Sequence, residues 1–165
     1  MSEIVEATTP EQIEQVRCLF GEYRAQLPVD YCFRSFDDEV AGLPGEYSPP
    51  KGLILLATVV GQPVGCIGLR PFPREGTCEM KRLYVRPAFR GGKLGRELAE
   101  RLLDEARRLG YSSMRLDSYA SLMQAAIGLY RKLGFREVGP EPLEAVEGLI
   151  YMELSLIRQQ SVING

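Results

Sequence analysis

Between an apolar strand pattern that ends at Val85 and the longest amphipathic stretch of the chain lies the heptapeptide Arg90-Gly91-Gly92-Lys93-Leu94-Gly95-Arg96. A strand, a glycine-rich basic loop and a long helix in this order restrict the fold more than any other feature, because the helix must return its apolar face to a sheet. The helix reads over Lys93 to Leu109, with Leu94, Leu98, Leu102, Ala106 and Leu109 on one face and Gly110 as its C-terminal stop. Its first turn leaves backbone N–H groups without intrahelical partners at the positive end of the helix dipole. Glycines there let an anion approach the backbone, and Arg90, Lys93 and Arg96 add positive charge. A diphosphate fits this chemistry; so does a plain glycine-rich turn opening a solvated basic helix. A P-loop does not fit, since Pro87 and Leu94 stand where Gly and Ser or Thr are needed. The G-x-G-x-x-G dinucleotide spacing is also absent.

The rest of the pattern surrounds that unit with a sheet. A strand near Glu3–Ala7 leads to a helix marked by Thr9 as cap, Pro10 at its first position and Gln12 completing a capping box. Ile13, Val16, Phe20 and Tyr23 form its apolar stripe, and Ser35 with Asp38 opens a short second helix. Residues 42–52, rich in Pro and Gly, read as a loop. Leu53–Val60 and Val64–Leu69 make a hairpin, and Cys78–Val85 is the next strand. After the long helix come a strand at Met114–Asp117, a helix from a Ser121/Gln124 capping box through Leu133, and strands at Phe135–Val138 and Leu149–Leu156. The expected order is β-α-α-β-β-β-α-β-α-β-β, one mixed sheet in one domain over residues 1–165.

Composition removes several classes of function. Lys and Arg total 20 against 22 Asp and Glu, a net charge of -2, so the surface lacks the basic excess of a general nucleic-acid binder. No apolar run reaches the roughly 20 residues that span a bilayer. The start Met1-Ser2-Glu3 carries no secretory pattern, so the expected location is cytoplasmic. The chain has no histidine, which excludes Ser-His-Asp and Cys-His arrangements, and Cys18, Cys32, Cys66 and Cys78 lack metal-ligand spacing. No metal is expected, the thiols read as reduced core residues, and any general base is a carboxylate, Tyr, Lys, Cys or water.

With these residues in view, the chain resembles the GNAT acetyltransferase superfamily, whose loop signature reads Arg/Gln-x-x-Gly-x-Gly/Ala. Arg90 matches the first position and Gly95 the last, while Lys93 stands where the family has Gly. A second block, Ala126-Ile127-Gly128-Leu129-Tyr130-Arg131-Lys132-Leu133-Gly134-Phe135, resembles the family's A-x-x-L-Y-x-K-x-G-F. The resemblance implies a mixed, mostly antiparallel sheet flanked by about four helices, with a V-shaped splay between two central parallel strands. It further implies acetyl-CoA as co-substrate, held by Leu83, Tyr84 and Val85 and by Arg90, Gly91, Gly92, Lys93, Leu94, Gly95 and Arg96. An N–H near Leu83 would polarise the thioester carbonyl.

The same resemblance casts Glu79 as general base and Tyr130 as the acid that protonates the departing sulfur. Strand alternation puts Glu79, Lys81, Leu83 and Val85 on one face. Met123 stands where the family often has Asn, which leaves Ser121 or Gln124 to replace that contact. The implied reaction is acetyl transfer to a primary amine of a small molecule or peptide. The alternatives are a non-catalytic acyl-CoA-binding module, another acyl donor, and a non-amine acceptor. Acceptor candidates are Tyr23, Arg34, Glu39 and Arg70, together with Arg24, Tyr31, Phe33, Asp37, Asp38 and Arg74. Neither nucleic acid nor membrane is an expected partner. The protein is a monomer or a homodimer, with the apolar last strand as the place where two copies would pair.

Overall fold

The structure is a computed structural model that describes residues 2–27, 33–141 and 148–157; Tyr31 and Cys32, with the side chains of Phe33 and Arg34, lie outside the described residues. The first strand, β1 (Ser2–Glu6), enters α1 (Pro10–Ala25) through the capping box read from the sequence. The Gln12 N–H donates to the Thr9 hydroxyl at 3.1 Å, and the Thr9 N–H donates to the Gln12 side chain at 3.0 Å. Val16, Leu19 and Phe20 are buried on the inner face of α1, whereas Cys18 is exposed and is not a core thiol. Two residues along a helix turn roughly 200°, which carries Cys18 away from the face of Val16.

Helix α2 (Phe33–Ala41) follows, and then the chain forms a 3-10 turn at Gly45–Tyr47 where the sequence suggests only loop. The cause is Tyr47, which is 2 % exposed and lays its ring over the sheet at Gly68. Strands β2 (Leu53–Val59) and β3 (Gln62–Pro71) form the expected hairpin. Val60 and Gly61 turn the corner with φ of 49° and 75°, the two positive values that suit the right-handed twist of a hairpin.

Strand β4 (Thr77–Val85) leads to α3 (Leu94–Arg108), which crosses over to β5 (Ser113–Tyr119). Helix α4 (Gln124–Lys132), β6 (Arg136–Val138) and β7 (Leu149–Ser155) complete the order. The Ser121 cap does not form: the N–H groups of Leu122 and Met123 both donate to the Tyr119 carbonyl, and the helix starts later, with Met123 at its cap. A tight backbone turn has taken the place of the side-chain cap.

The sheet runs β1-β2-β3-β4-β5-β7-β6 and is antiparallel except for β4 and β5. Because β7 lies between β5 and β6, the last strand is not a free edge for a second copy. One core, with Leu55, Ile67, Met80, Leu98, Leu102 and Met114, lies under α3. The other, with Leu19, Phe20, Phe36, Ile54, Leu56 and Tyr84, lies under α1 and α2. Strand β2 alternates between these cores, which explains its unbroken apolar run.

Gly68 matters because a Cβ there would lie 2.6 Å from the Tyr47 ring. Gly68→Ala is expected to lower stability by about 1–3 kcal/mol through overpacking. Urea unfolding measures this, and an unchanged midpoint would contradict the packing described.

Candidate active site

The two parallel strands separate where the chemistry would have to occur. β4 pairs with β5 only from Thr77–Glu79 to Ser113–Arg115, after which the ladder stops. At the same level β4 bulges against β3. Cys66 faces Tyr84 while Gly68 faces Lys81, so one residue of β3 opposes two of β4. The bulge places Arg82 at φ 60°, a left-handed conformation that costs a non-glycine residue on the order of 1–2 kcal/mol.

Its side chain is held firmly in compensation. Arg82 Nε and Nη2 donate to the two Glu39 oxygens at 2.9 and 3.2 Å, and the guanidinium lies 4.4 Å from the centre of the Phe36 ring. Beyond the bulge the side-chain alternation is reversed. Cys78, Met80, Leu83 and Val85 pack on the α3 core, whereas Tyr84 joins the α1–α2 core and Arg82 binds Glu39 on that side. The expected sharing of one face by Glu79, Leu83 and Val85 is thus corrected by the extra residue. Glu79 instead accepts from Arg70 at 2.9 Å.

The splay opens a cavity of about 260 Å³, lined by Leu83, Tyr84 and Val85 on β4, by Arg90, and by Met123 and Tyr130 opposite. The Arg86 N–H donates to Val64 of β3 at 2.8 Å. Alternation from that bond turns the main-chain groups of Val85, and two residues earlier Leu83, away from β3 and toward the gap. The Val85 carbonyl accepts there from Arg90 Nε at 2.7 Å, while Arg90 Nη2 reaches Gln26 at 3.0 Å. Tyr84 points its phenol the other way, to Glu22 at 3.1 Å.

The loop from β4 to α3 makes a 3-10 turn at Pro87–Phe89 and then passes through Gly91 at φ 88°. Open space surrounds Gly91 and Gly92, and Gly95 lies beside Val85. Lys93 caps α3 without a side-chain hydrogen bond, and the first helical N–H bond runs from Glu97 to the Lys93 carbonyl at 2.8 Å. The Leu94, Gly95 and Arg96 N–H groups therefore precede the helical ladder. At Lys93, where the family has Gly, φ is −95°, a value open to any residue, while Gly91 takes the left-handed value.

Tyr130 enters the cavity from α4, 7 % exposed and edge-on to Phe135 at 5.9 Å between ring centres. Burial, followed by the charges of Tyr23 and Asp117, pushes its phenol well above the usual range, which keeps the proton in place. Ser121 and Gln124 do not line the cavity; Ser118 and Met123 do, with the Ser118 hydroxyl 3.3 Å from the Met123 sulfur.

A second cavity, of about 190 Å³, adjoins the first on the α1–α2 side. Tyr23, Lys81, Arg82, Asp117, Ser118 and Met123 line both. Behind them runs a chain of alternating charge. Glu79 binds Arg70, Arg70 reaches Glu39 at 3.3 Å, Glu39 grips Arg82, and Lys81 stands 3.5 Å from Asp117. Burial works against the Glu39 carboxylate, but the hydrogen bonds and charge of Arg82, with Arg70 and Lys81, hold its pKa below the usual value.

Of the acceptor candidates, Tyr23 reaches both cavities, Glu39 and Arg70 belong to the charge chain, and the Arg34 side chain lies outside the described residues. Glu79 lines neither cavity. Arg24 pairs with Asp37 at 2.7 Å, and Arg74 binds Glu141 and Glu153 away from the gap. Asp117 escaped notice in the sequence. The available signal was its position on β5, where an acidic residue follows the buried Leu116 beyond the last pairing with β4.

Comparison with known proteins agrees with this geometry. The model of the acetyltransferase (GNAT) family matches residues 13–135. An uncharacterized N-acetyltransferase of Schizosaccharomyces pombe is 38 % identical over 148 residues, covering 89 % of this chain and 90 % of the relative. The IAA acetyltransferase of Azospirillum brasilense is 44 % identical over 92 residues, 55 % of this chain and 59 % of that protein. Among solved structures, yncA of Salmonella typhimurium with its cofactor acetyl-CoA superposes with a TM-score of 0.72 at 25 % identity, covering 97 % and 96 % of the two chains. A sheet splayed between two parallel strands, a glycine loop opening the crossover helix and these likenesses together establish that the chain belongs to the GNAT family of acetyltransferases.

Proposed function

We propose that the protein transfers the acetyl group of acetyl-CoA to a primary amine by direct attack within a ternary complex. The observation that carries this reading is the meeting of the two cavities at Lys81, Arg82 and Asp117, beside the open edge of β4. The residues fit the cofactor. An extended amide-bearing arm completes a strand edge such as Leu83–Val85. The space around Gly91 and Gly92, with the free N–H groups of the first turn of α3, suits a diphosphate. Arg90 and Arg96 add charge there, and Arg90 gives up the Val85 carbonyl as the arm enters. Acetyl-CoA supplies a thioester whose carbon accepts the amine nitrogen while the sulfur leaves.

The chain's own groups manage charge and protons around that exchange. The N–H of Leu83 lies on the open edge and stabilises the negative charge that grows on the carbonyl oxygen. Asp117 is the carboxylate that lines both cavities, and it takes the proton the amine must lose. Glu79, the candidate from sequence, stays with Arg70 and completes the charge chain behind Arg82. Tyr130 donates its phenolic hydrogen toward the departing sulfur. We place the reaction in the cytoplasm, in a chain forming one such domain; no helix among the described residues is long and apolar enough to cross a membrane.

Calorimetric titration with acetyl-CoA is expected to show binding that Gly92→Glu and Gly95→Glu abolish, because each puts bulk and negative charge in the diphosphate position. Retained affinity in both variants would reject the loop's role. Tyr130→Phe is expected to keep acetyl-CoA affinity while turnover falls by about 10²–10⁴-fold, the range for loss of a proton donor. Unchanged turnover would remove Tyr130 from the reaction. Asp117→Asn should lower kcat by a similar factor of about 10²–10⁴ with cofactor affinity intact. A variant as active as the parent would return the base role to water or another group.

A further inference from the structure

The charged lining of the smaller cavity bears on the class of acceptor. Among the described residues that lining is Lys81, Arg82 and Asp117, two cations and one carboxylate, beside Tyr23, Phe36 and Ser118. Each charge has a particular state. Arg82 is gripped by Glu39 through Nε and Nη2, which uses two of the five donors of a guanidinium and fixes its plane. Lys81 and Asp117 face each other at 3.5 Å, too far for a short charge-assisted hydrogen bond. The Lys81 side chain is 10 % exposed and that of Asp117 27 %, so this pair sits at the cavity wall rather than in open solvent.

Among the less exposed groups of the surrounding chain, Arg70, Lys81 and Arg82 stand against Glu39, Glu79 and Asp117, while the exposed Glu46 also reaches Arg70. A polyamine would bring excess positive charge to a lining that already holds two cations, and it would meet one carboxylate. A simple monoamine would satisfy Asp117 and leave Lys81 without its counter-ion. A molecule bearing both an ammonium and a carboxylate satisfies both partners at once, entering the loose Lys81–Asp117 pair with its charges reversed. It also adds no net charge to the neighbourhood, which matters where ions are partly removed from water.

We propose that the acceptor is an α-amino acid, seated with its amine toward Asp117 and its carboxylate on Lys81 and the remaining donors of Arg82. This rests on the reading of the larger cavity as the acetyl-CoA cleft and adds the class of acceptor. The ammonium first gives one proton to Asp117, which releases it to water. On the wall shared with that cleft, nitrogen then joins the acetyl carbon, the carbon–sulfur bond breaks, the second nitrogen proton passes to Asp117, and the sulfur takes a proton from Tyr130, which water restores. Specificity follows from loss as well as gain. An amine without a carboxylate leaves a partly buried lysine unpaired, which penalises the wrong acceptor.

The test compares the common α-amino acids with their carboxamides and decarboxylated amines, using acetyl-CoA as donor. Amino acids are expected to give kcat/KM values about tenfold or more above their matched analogues, the range for one charge-assisted contact. Lys81→Met is expected to reduce that ratio about tenfold, mostly through KM. As a readout independent of turnover, calorimetric titration of the preferred amino acid into CoA-saturated protein should show binding that its carboxamide lacks. Analogues turned over as well as the acids, or a ratio unmoved in folded Lys81→Met that still binds acetyl-CoA, would overturn the proposal. So would acetyl-CoA binding with no amino acid acetylated. Failure to bind acetyl-CoA at all would instead strike the reading of the larger cleft, and calorimetry separates the two.

Discussion

Arg82 sits in the left-handed region in the middle of a strand, and Glu39 of a distant helix grips its guanidinium by two hydrogen bonds. Without that grip the conformation would be a net loss for a residue with a Cβ. With it, β4 keeps an extra residue against β3 and changes phase. Three features of the site depend on that change. Leu83 and Val85 turn their side chains into the α3 core, their main-chain groups face the gap, and Arg82 itself becomes a wall of both cavities. The parallel ladder to β5 ends at Glu79 and Arg115, just before the bulge, so strand separation and bulge act together to make a cleft.

The charge chain behind the bulge explains how so many ions are tolerated in a small interior. Glu39 is shared between Arg70 and Arg82, and Arg70 between Glu39, Glu46 and Glu79, so no single ion must be neutralised by one partner. A buried pair is seldom a large net stabiliser, because removing ions from water offsets their attraction. Its value here is geometric: it fixes where Arg82 and the β4 bulge stand relative to α2. Phe36, beneath the guanidinium and stacked with Tyr23 at 6.1 Å, ties the same point to α1.

Much of this architecture was legible in the sequence, and the exceptions have physical causes. The Thr9-Pro10-Gln12 start of α1, the hairpin at Gly61 and the glycine loop before α3 use short-range chemistry that sequence displays directly. The bulge shows only as a broken alternation, with Lys81 and Arg82 two polar residues in succession between Met80 and Leu83, and bonds from Glu39 of α2 stabilise the extra residue. Alternation carried through that point joins Glu79 to Leu83, and it hides Asp117, whose importance arises from where the ladder to β5 ends. Ser121 and Gln124 have the spacing of a capping box, yet the Tyr119 carbonyl closes the turn first. Long-range register decided the bulge and the place of Asp117, and a local backbone turn decided Ser121.

The central claim is that the open edge of β4 and the first turn of α3 receive one extended ligand. Amide hydrogen exchange, followed residue by residue with and without acetyl-CoA, tests it most directly. New protection is expected at the Leu83 and Val85 amides and across residues 91–96, with β1 and β2 unchanged. Binding of acetyl-CoA with those β4 amides exchanging as before would contradict it, and would mean that the bulge serves the fold without forming the cofactor cleft.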